Sequence, residues 1–379
     1  MTSPLSGLGE GSVHHLYVHI PFCHRVCPYC SFYKHTPGAT PMGEFVEALL
    51  AEARRAAETR ELRLETVYFG GGTPTALSEV HLERLLSGLR ETLDLSGVQE
   101  FTCEVNPRTV TLSKAAMMQR LGIDRISLGI QAWDEATLKT LGRDHAPADA
   151  EETYHTLRAA GFRSVNVDLM FSIPGQSLET WCGTVQKTVS LKPDHISAYN
   201  LNYEEDTEFF ERLRKGQYQV EEERDAAFFH AALDGLEGAG YEHYEISNYA
   251  KPGYRSVHNE AYWLGKDYLG LGPSAYSTAG GRRWQNVADT TRYLELVKLG
   301  QSPALAGEEL TEDQRRTERF GLELRTARGL PLTMVREPER RMVTVLAEEG
   351  LLVVQEDHIR LTRVGKPLVD SVAVALMGA

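Results

Sequence analysis

From residue 16 onward, short runs rich in β-branched and aromatic side chains alternate with longer runs whose apolar positions recur every three or four residues. The short runs predict strands over Leu16 to Ile20, Thr66 to Gly70, Glu100 to Asn106, Arg125 to Ile130, Ser164 to Phe171 and His195 to Asn202. Between them the periodicity predicts helices over Met42 to Ala57, Ser78 to Leu93, Ser113 to Leu121, Asp134 to Leu141, Pro147 to Ala160 and Ser177 to Ser190. Strict alternation of this kind predicts an α/β fold with a parallel sheet and crossover helices. An incomplete barrel and an open, doubly wound sheet fit it equally well.

The pattern then changes. Residues 201–284 are rich in tyrosine, among them Tyr241, Tyr244, Tyr249, Tyr254, Tyr262, Tyr268 and Tyr276, which read mainly as packing. The glycines of Leu269-Gly270-Leu271-Gly272-Pro273 predict a tight turn. Small residues and Pro303 interrupt the periodicity over 300–307. Helical patterns follow, then a hairpin from Gly350 to Leu361 with its turn at Gln355 to Asp357. The expected organisation is therefore a flexible N-terminal segment (1–15), a main domain (16–300) and a small α+β domain (308–379) that resembles a winged helix.

Composition is that of a globular chain: 379 residues, 42% hydrophobic and 25% charged. The net charge of −13 argues against nucleic acid as the main partner. In the winged-helix-like region, residues 311–341 hold eight arginines against six acidic residues, too little positive charge to track phosphates. The first fifteen residues lack the pattern of a signal peptide and no run of about 18 apolar residues occurs, so no membrane span and a reducing, cytoplasmic setting are expected.

Chemistry concentrates just after the first predicted strand, where Cys23, Cys27 and Cys30 fall within eight residues. Clustered thiolates select iron–sulfur clusters, zinc or Cu(I). A [4Fe-4S] cluster takes four ligands, so three cysteines leave one iron for a ligand that is not protein. Spacing alone leaves zinc open, with His19, His24 or His35 as a fourth ligand, and leaves open a loop with no metal. A disulfide is weaker, because Cys103 and Cys182 lie far apart in sequence.

Other unusual residues fall at the ends of the same strands. Gly70, Gly71, Gly72 and Thr73 follow the second, Glu104 and Asn106 end the third, Gln131 follows the fourth, Asp168 lies late in the fifth, and Tyr199 and Asn200 lie in the sixth. In a parallel barrel these positions share one rim, where catalytic groups gather. Glycines admit close backbone approach, carboxylates accept from an ammonium or ribose hydroxyls, and Arg143 offers a fork for a carboxylate. The set suits an amino-acid nucleoside.

These motifs resemble the radical S-adenosylmethionine superfamily, in which the fourth cluster ligand is the cofactor's own amino and carboxylate groups. Tyr17-Val18-His19-Ile20-Pro21-Phe22-Cys23, Phe69-Gly70-Gly71-Gly72-Thr73-Pro74, Glu104-Val105-Asn106-Pro107, Leu128-Gly129-Ile130-Gln131, Leu141-Gly142-Arg143 and Asp168-Leu169-Met170 are similar to the oxygen-independent coproporphyrinogen III oxidase-like group over nearly the whole chain. The resemblance implies an incomplete (β/α)6 barrel with a C-terminal winged-helix-like domain. It also implies Cys23, Cys27 and Cys30 as ligands of a [4Fe-4S] cluster, with Tyr17, Tyr29, Gly71, Gly72, Thr73, Glu104, Gln131, Arg143 and Asp168 contacting S-adenosylmethionine.

Two departures point to one branch. The oxidases of the group carry a fourth cysteine where Phe32 stands here, and an N-terminal extension ahead of the first strand that is not expected for this chain. The chain instead resembles the HemW branch, heme chaperones that share the motif His258-Asn259-Glu260-Ala261-Tyr262-Trp263. The resemblance implies His258 as a heme ligand and transfer of heme to an acceptor. A coproporphyrinogen III dehydrogenase, or another radical enzyme acting on a tetrapyrrole, is the alternative. A respiratory-chain heme protein as acceptor, peripheral membrane association and a homodimer stay open.

Overall fold

The computed structural model of the chain describes residues 12–378. Six parallel strands, β1 (Val13–Ile20), β2 (Leu62–Gly71), β3 (Glu100–Val105), β4 (Arg125–Gln131), β5 (Ser164–Phe171) and β6 (His195–Asn200), lie side by side in chain order. Each crosses to the next through helices: α1 (Met42–Thr59), α2 (Glu79–Thr92), α3 (Leu112–Arg120), α4 (Glu135–Thr140) with α5 (Pro147–Ala159), and α6 (Leu178–Leu191). Ser78, Asp134 and Ser177, expected as first helical residues, are N-caps whose side chains accept the N–H three residues on. Of the expected N-terminal segment, residues 1–11 lie outside the described residues, while Val13, His14 and His15 already belong to β1.

Alternation along the strands sorts the barrel wall into two faces. Leu16, Val18, Val67, Phe69, Phe101, Ile126, Leu128, Val165, Val167 and Ile196 are buried under the helices. The opposite face is polar, and its members bond across strands: His15 to Thr66, Tyr68 to Glu104, and Asn166 to both Ser127 and Ser197. This interior is suited to holding a polar ligand rather than to filling itself with apolar packing.

Beyond β6, the chain forms α7 (Glu208–Arg214), α8 (Glu222–Gly238), β7 (Glu242–Glu245), β8 (Asn248–Ala250), α9 (Val257–Trp263), β9 (Tyr268–Leu271), β10 (Tyr276–Ala279), β11 (Arg282–Gln285), α10 (Thr290–Lys298) and β12 (Glu308–Glu309). β9 pairs parallel to the outer edge of β1, and β8 pairs antiparallel to β6, so the sheet runs on to twelve strands among the described residues. Gly270 lies in β9, where a side chain would meet the Tyr276 carbonyl oxygen at 2.1 Å, while Gly272, with φ of +95°, opens the expected turn through Pro273 and Ser274 into β10. Tyr241, Tyr244 and Tyr249 are buried packing residues, whereas Tyr276 is half exposed.

α9 closes the N-terminal end of the barrel. Glu100, at the start of β3, accepts from the Ser256 hydroxyl and from the amides of Val257 and His258, satisfying the first N–H groups of that helix. Glu308 and Glu309, expected to open the C-terminal domain, are an edge strand of the large sheet because they pair with Arg283 and Arg282. The C-terminal unit comprises α11 (Glu312–Glu323), β13 (Leu330–Pro331), α12 (Glu337–Glu348), β14 (Leu352–Gln355), β15 (His358–Leu361) and α13 (Val369–Met377). It has its own core around Phe320, Leu346, Leu352 and Leu376. Its hairpin turns on Glu356 and Asp357, both with positive φ, the geometry a two-residue hairpin loop needs. The unit leans on the barrel where the Ala327 amide donates to the Tyr244 carbonyl and Lys366 donates to His243 Nδ1. Among the described residues, no helix is long and apolar enough to cross a membrane.

Candidate functional site

The C-terminal ends of β1 to β6 surround a cavity of about 420 Å³. Cys23, Cys27 and Cys30 line it on one side, and Gly71, Gly72, Thr73, Glu104, Gln131, Arg143 and Asp168 line the rest, together with Tyr29. Of the expected cofactor contacts, only Tyr17 is not brought there. It lies behind Tyr68, stacked on that ring at 6.1 Å, and its hydroxyl bonds to His19.

The cysteine loop is fixed by backbone bonds from both sides. Cys23 N–H donates to the His35 carbonyl, and Gly72 and Thr73 N–H donate to Ile20 and Phe22. The glycine triplet is what lets β2 and this loop approach so closely. Gly71 has φ of +106°, and a Cβ there would lie 2.4 Å from the His19 ring; one on Gly72 would lie 2.7 Å from the Pro21 backbone. Thus the glycines serve packing of the loop as much as access to a ligand.

The thiols sit in a partly buried setting, which pushes Cys23 up to about 11 and raises Cys30, against the opposing pull of Lys34. Thr73 Oγ1 donates to Cys23 Sγ at 3.6 Å and Arg143 to Cys27 Sγ at 3.7 Å. Metal uptake at such thiols releases protons. Of the three histidines that could complete a zinc site, His24 is exposed on the loop between Cys23 and Cys27, and the other two are engaged elsewhere. His19 Nε2 bonds to the Tyr33 carbonyl and its Nδ1 to Tyr17, while His35 bonds to Thr36 and Thr290. Cys103 faces the helices and is fully buried, and Cys182 lies on α6. Among the described residues no three His, Cys, Asp or Glu side chains converge on one ion. Three thiols lining one cavity match the protein ligands of a cluster that leaves one iron open.

Opposite the thiols, Glu104 accepts from the Tyr68 hydroxyl at 2.9 Å and from the Gly71 amide at 3.2 Å. Burial, and then the charge of Asp168, raise its pKa to about 7. Asp168 is held by Ser127 and Asn166 and is raised by burial. Arg143 is anchored by Asn106 Oδ1 at 2.7 Å and the Gly129 carbonyl at 2.9 Å, and its buried Nε has no partner. Gln131 stands at a break in the β4–β5 register with φ of 71°, a left-handed conformation that turns it toward the cavity. A pair of unneutralised carboxylates facing a forked guanidinium suits a ligand with both an ammonium and a carboxylate. Asn106, expected at the rim, and Tyr68 and Ser127, which were not expected, support the site; the signal for the last two is a polar residue at an inward position of β2 and β4.

His258 lies elsewhere. It is 1% exposed inside the barrel floor, stacked on Tyr68 at 5.1 Å, with Nδ1 bonded to Thr66 at 2.7 Å and Nε2 to the Tyr262 hydroxyl at 3.2 Å. Burial lowers its pKa to about 3, so the ring is neutral. In this conformation neither nitrogen faces an open cavity.

Comparison with known proteins agrees with this geometry. Residues 17–187 match the radical SAM superfamily. Heme chaperone HemW of Bacillus subtilis is 33% identical over 96% of this chain and 98% of its own length, and that of Escherichia coli is 40% identical over 69% of each. The structure of the Escherichia coli coproporphyrinogen III oxidase HemN, a radical SAM enzyme, superposes with a TM-score of 0.82 over 96% of this chain and 90% of its own, at 24% identity, which establishes the shared fold. The chain belongs to the radical S-adenosylmethionine superfamily and, within it, to the HemW family.

Proposed function

We propose that this protein is a heme carrier that binds heme and passes it to an acceptor protein. The observation that carries the reading is the match to heme chaperone HemW over almost the full length of both chains. In this reading Cys23, Cys27 and Cys30 hold a [4Fe-4S] cluster. Glu104 and Asp168 receive the ammonium and ribose hydroxyls of S-adenosylmethionine, Arg143 its carboxylate, and the backbone of Gly71 and Gly72 its polar end. When bound, the cluster and S-adenosylmethionine supply one-electron chemistry. The chain's own contribution is to orient the nucleoside and to shield it beneath Tyr29 and Tyr68.

His258 enters as a conditional ligand. Heme iron would reach its Nε2 only after the Tyr262 hydroxyl moves away. The setting that suits free thiols is the reducing cytoplasm, and a respiratory acceptor at a membrane would be met from its surface.

The second reading, a coproporphyrinogen III dehydrogenase, is favoured by the HemN-like fold. Anaerobic incubation of reconstituted protein with reductant, S-adenosylmethionine and coproporphyrinogen III separates the two. The expected result is no decarboxylated product, alongside one heme bound per chain in a parallel titration. Sustained product formation would overturn the carrier reading.

A further inference from the structure

A second cavity of about 920 Å³ runs from the barrel rim, past α9, to the start of α13. This is roughly twice the volume at the cysteines and lies near the upper end of the about 300–1,000 Å³ range of cofactor pockets. We propose that this cleft is the tetrapyrrole site, with Tyr262 and Trp263 as its aromatic wall and Lys366 and Arg325 as the receivers of the macrocycle's carboxylates. The proposal rests on the heme-carrier reading above and gives it a place.

Four features of the cleft point to such an occupant. Its wall is aromatic, as a planar macrocycle requires. Two of its polar atoms are buried without a partner, Trp263 Nε1 and Asn248 Oδ1, and Asn248 is only 2% exposed. Neither cation is hydrogen-bonded to a buried acid: Lys366 donates to the neutral His243 ring, whose pKa burial lowers to about 3, and Arg325 pairs with the well exposed Asp370 while the buried Glu245 lies within reach of its charge. A ligand carboxylate can displace both partners at small cost. The lining acids Glu222 and Asp225 lie two turns and one turn before Phe229 on α8, so they disfavour carboxylates at that end and set the orientation.

The fourth feature is continuity. Phe32 and Tyr199 line both this cleft and the cysteine cavity, which explains why Phe32 can be 66% exposed at a position where the oxidases of the group place a cysteine. The His-Asn-x-x-Tyr-Trp motif also divides along this wall. Asn259, Tyr262 and Trp263 face the cleft, and His258 stands directly behind the Tyr262 hydroxyl. Rotation of that one ring would open His258 to an iron in the cleft.

The test is a Soret titration of anaerobically reconstituted protein with heme and with heme dimethyl ester, in which both carboxylates are esterified. Wild type should bind heme at least tenfold more tightly than the ester, as expected for charge-assisted contacts. The double variant Lys366→Gln, Arg325→Gln should lose that preference while binding the ester within about twofold of wild type. Trp263→Ala should weaken both ligands; Trp263→Phe, which removes only the N–H donor, serves if the alanine variant does not fold. Iron content of every sample reports whether the barrel is intact. Unchanged heme affinity in all the cleft variants would overturn the assignment while leaving the carrier reading in place. Failure of wild type to bind heme at all would overturn the carrier reading and the cleft with it.

Discussion

Glu104→Gln should move stability and cofactor affinity in opposite directions. The carboxyl is buried beside Asp168 and its pKa rises from 4.5 to about 7. A carboxyl raised in the folded state favours folding when protonated, so that stability is fully present below about pH 4.5 and is lost as the pH climbs through about 7. At pH 8 the shift corresponds to about 3 kcal/mol against the ionised fold, an upper bound for a site that can admit water. Glutamine keeps both local bonds, its oxygen accepting from the Gly71 amide and its amide donating to the Tyr68 hydroxyl. Urea unfolding of the metal-free protein should therefore show the variant more stable by about 1–3 kcal/mol at pH 8 and within about 1 kcal/mol of wild type at pH 5. S-adenosylmethionine binding to the reconstituted variant, measured by calorimetry, should fall at least about 30-fold, because the charge facing the ammonium is gone. A variant equally destabilised at both pH values, or one that binds the cofactor normally, would refute the reasoning.

Three other perturbations test separate parts of the structure. Gly72→Ala places a Cβ against the Pro21 and Phe22 backbone at 2.7 and 2.8 Å, neither of which can swing aside, and should leave reconstituted protein with under half of its iron by colorimetric analysis. Lys114 is 7% exposed and donates to the carbonyls of Thr75, Leu77 and Thr109. Lys114→Met should cost about 3 kcal/mol in urea unfolding by leaving those acceptors bare, and a change below about 0.5 kcal/mol would contradict the role. His258→Ala removes the bonds to Thr66 and Tyr262 and opens a cavity under Tyr68, so heme-free protein should lose about 2–4 kcal/mol, whereas a histidine held only for ligation would cost almost nothing.

The barrel was legible because its signals are local. Ser164–Phe171 matches the expected strand at both ends, and the other five strands differ by one to four residues at an end, where polar residues such as His14, Glu65, Asn106, Gln131 and Asn202 leave the run ambiguous. The rim site was legible for a related reason: a polar residue inside an apolar run, such as Glu104 in β3 or Asp168 in β5, has no apolar neighbour to satisfy it. What could not be read is set by contacts distant in the chain. β9 lies about 250 residues from β1 yet completes its edge, and no periodicity in Tyr268–Leu271 announces a parallel partner. Tyr17 lies midway along β1, the strand that leads into the cysteine loop, and falls below the rim because it stands three residues before the end of the strand. The buried state of His258 is tied to Glu100, 158 residues away in the chain at the start of β3, which caps α9, a contact no motif encodes.

As proposed, this scaffold delivers heme rather than transforming a porphyrinogen. Heme-loaded protein mixed anaerobically with an apo-hemoprotein acceptor, followed by the shift of the Soret band, tests it directly. Transfer of close to one heme per chain is expected, faster than from a heme-loaded control protein without the cleft. Retention of heme in the presence of excess acceptor would contradict it.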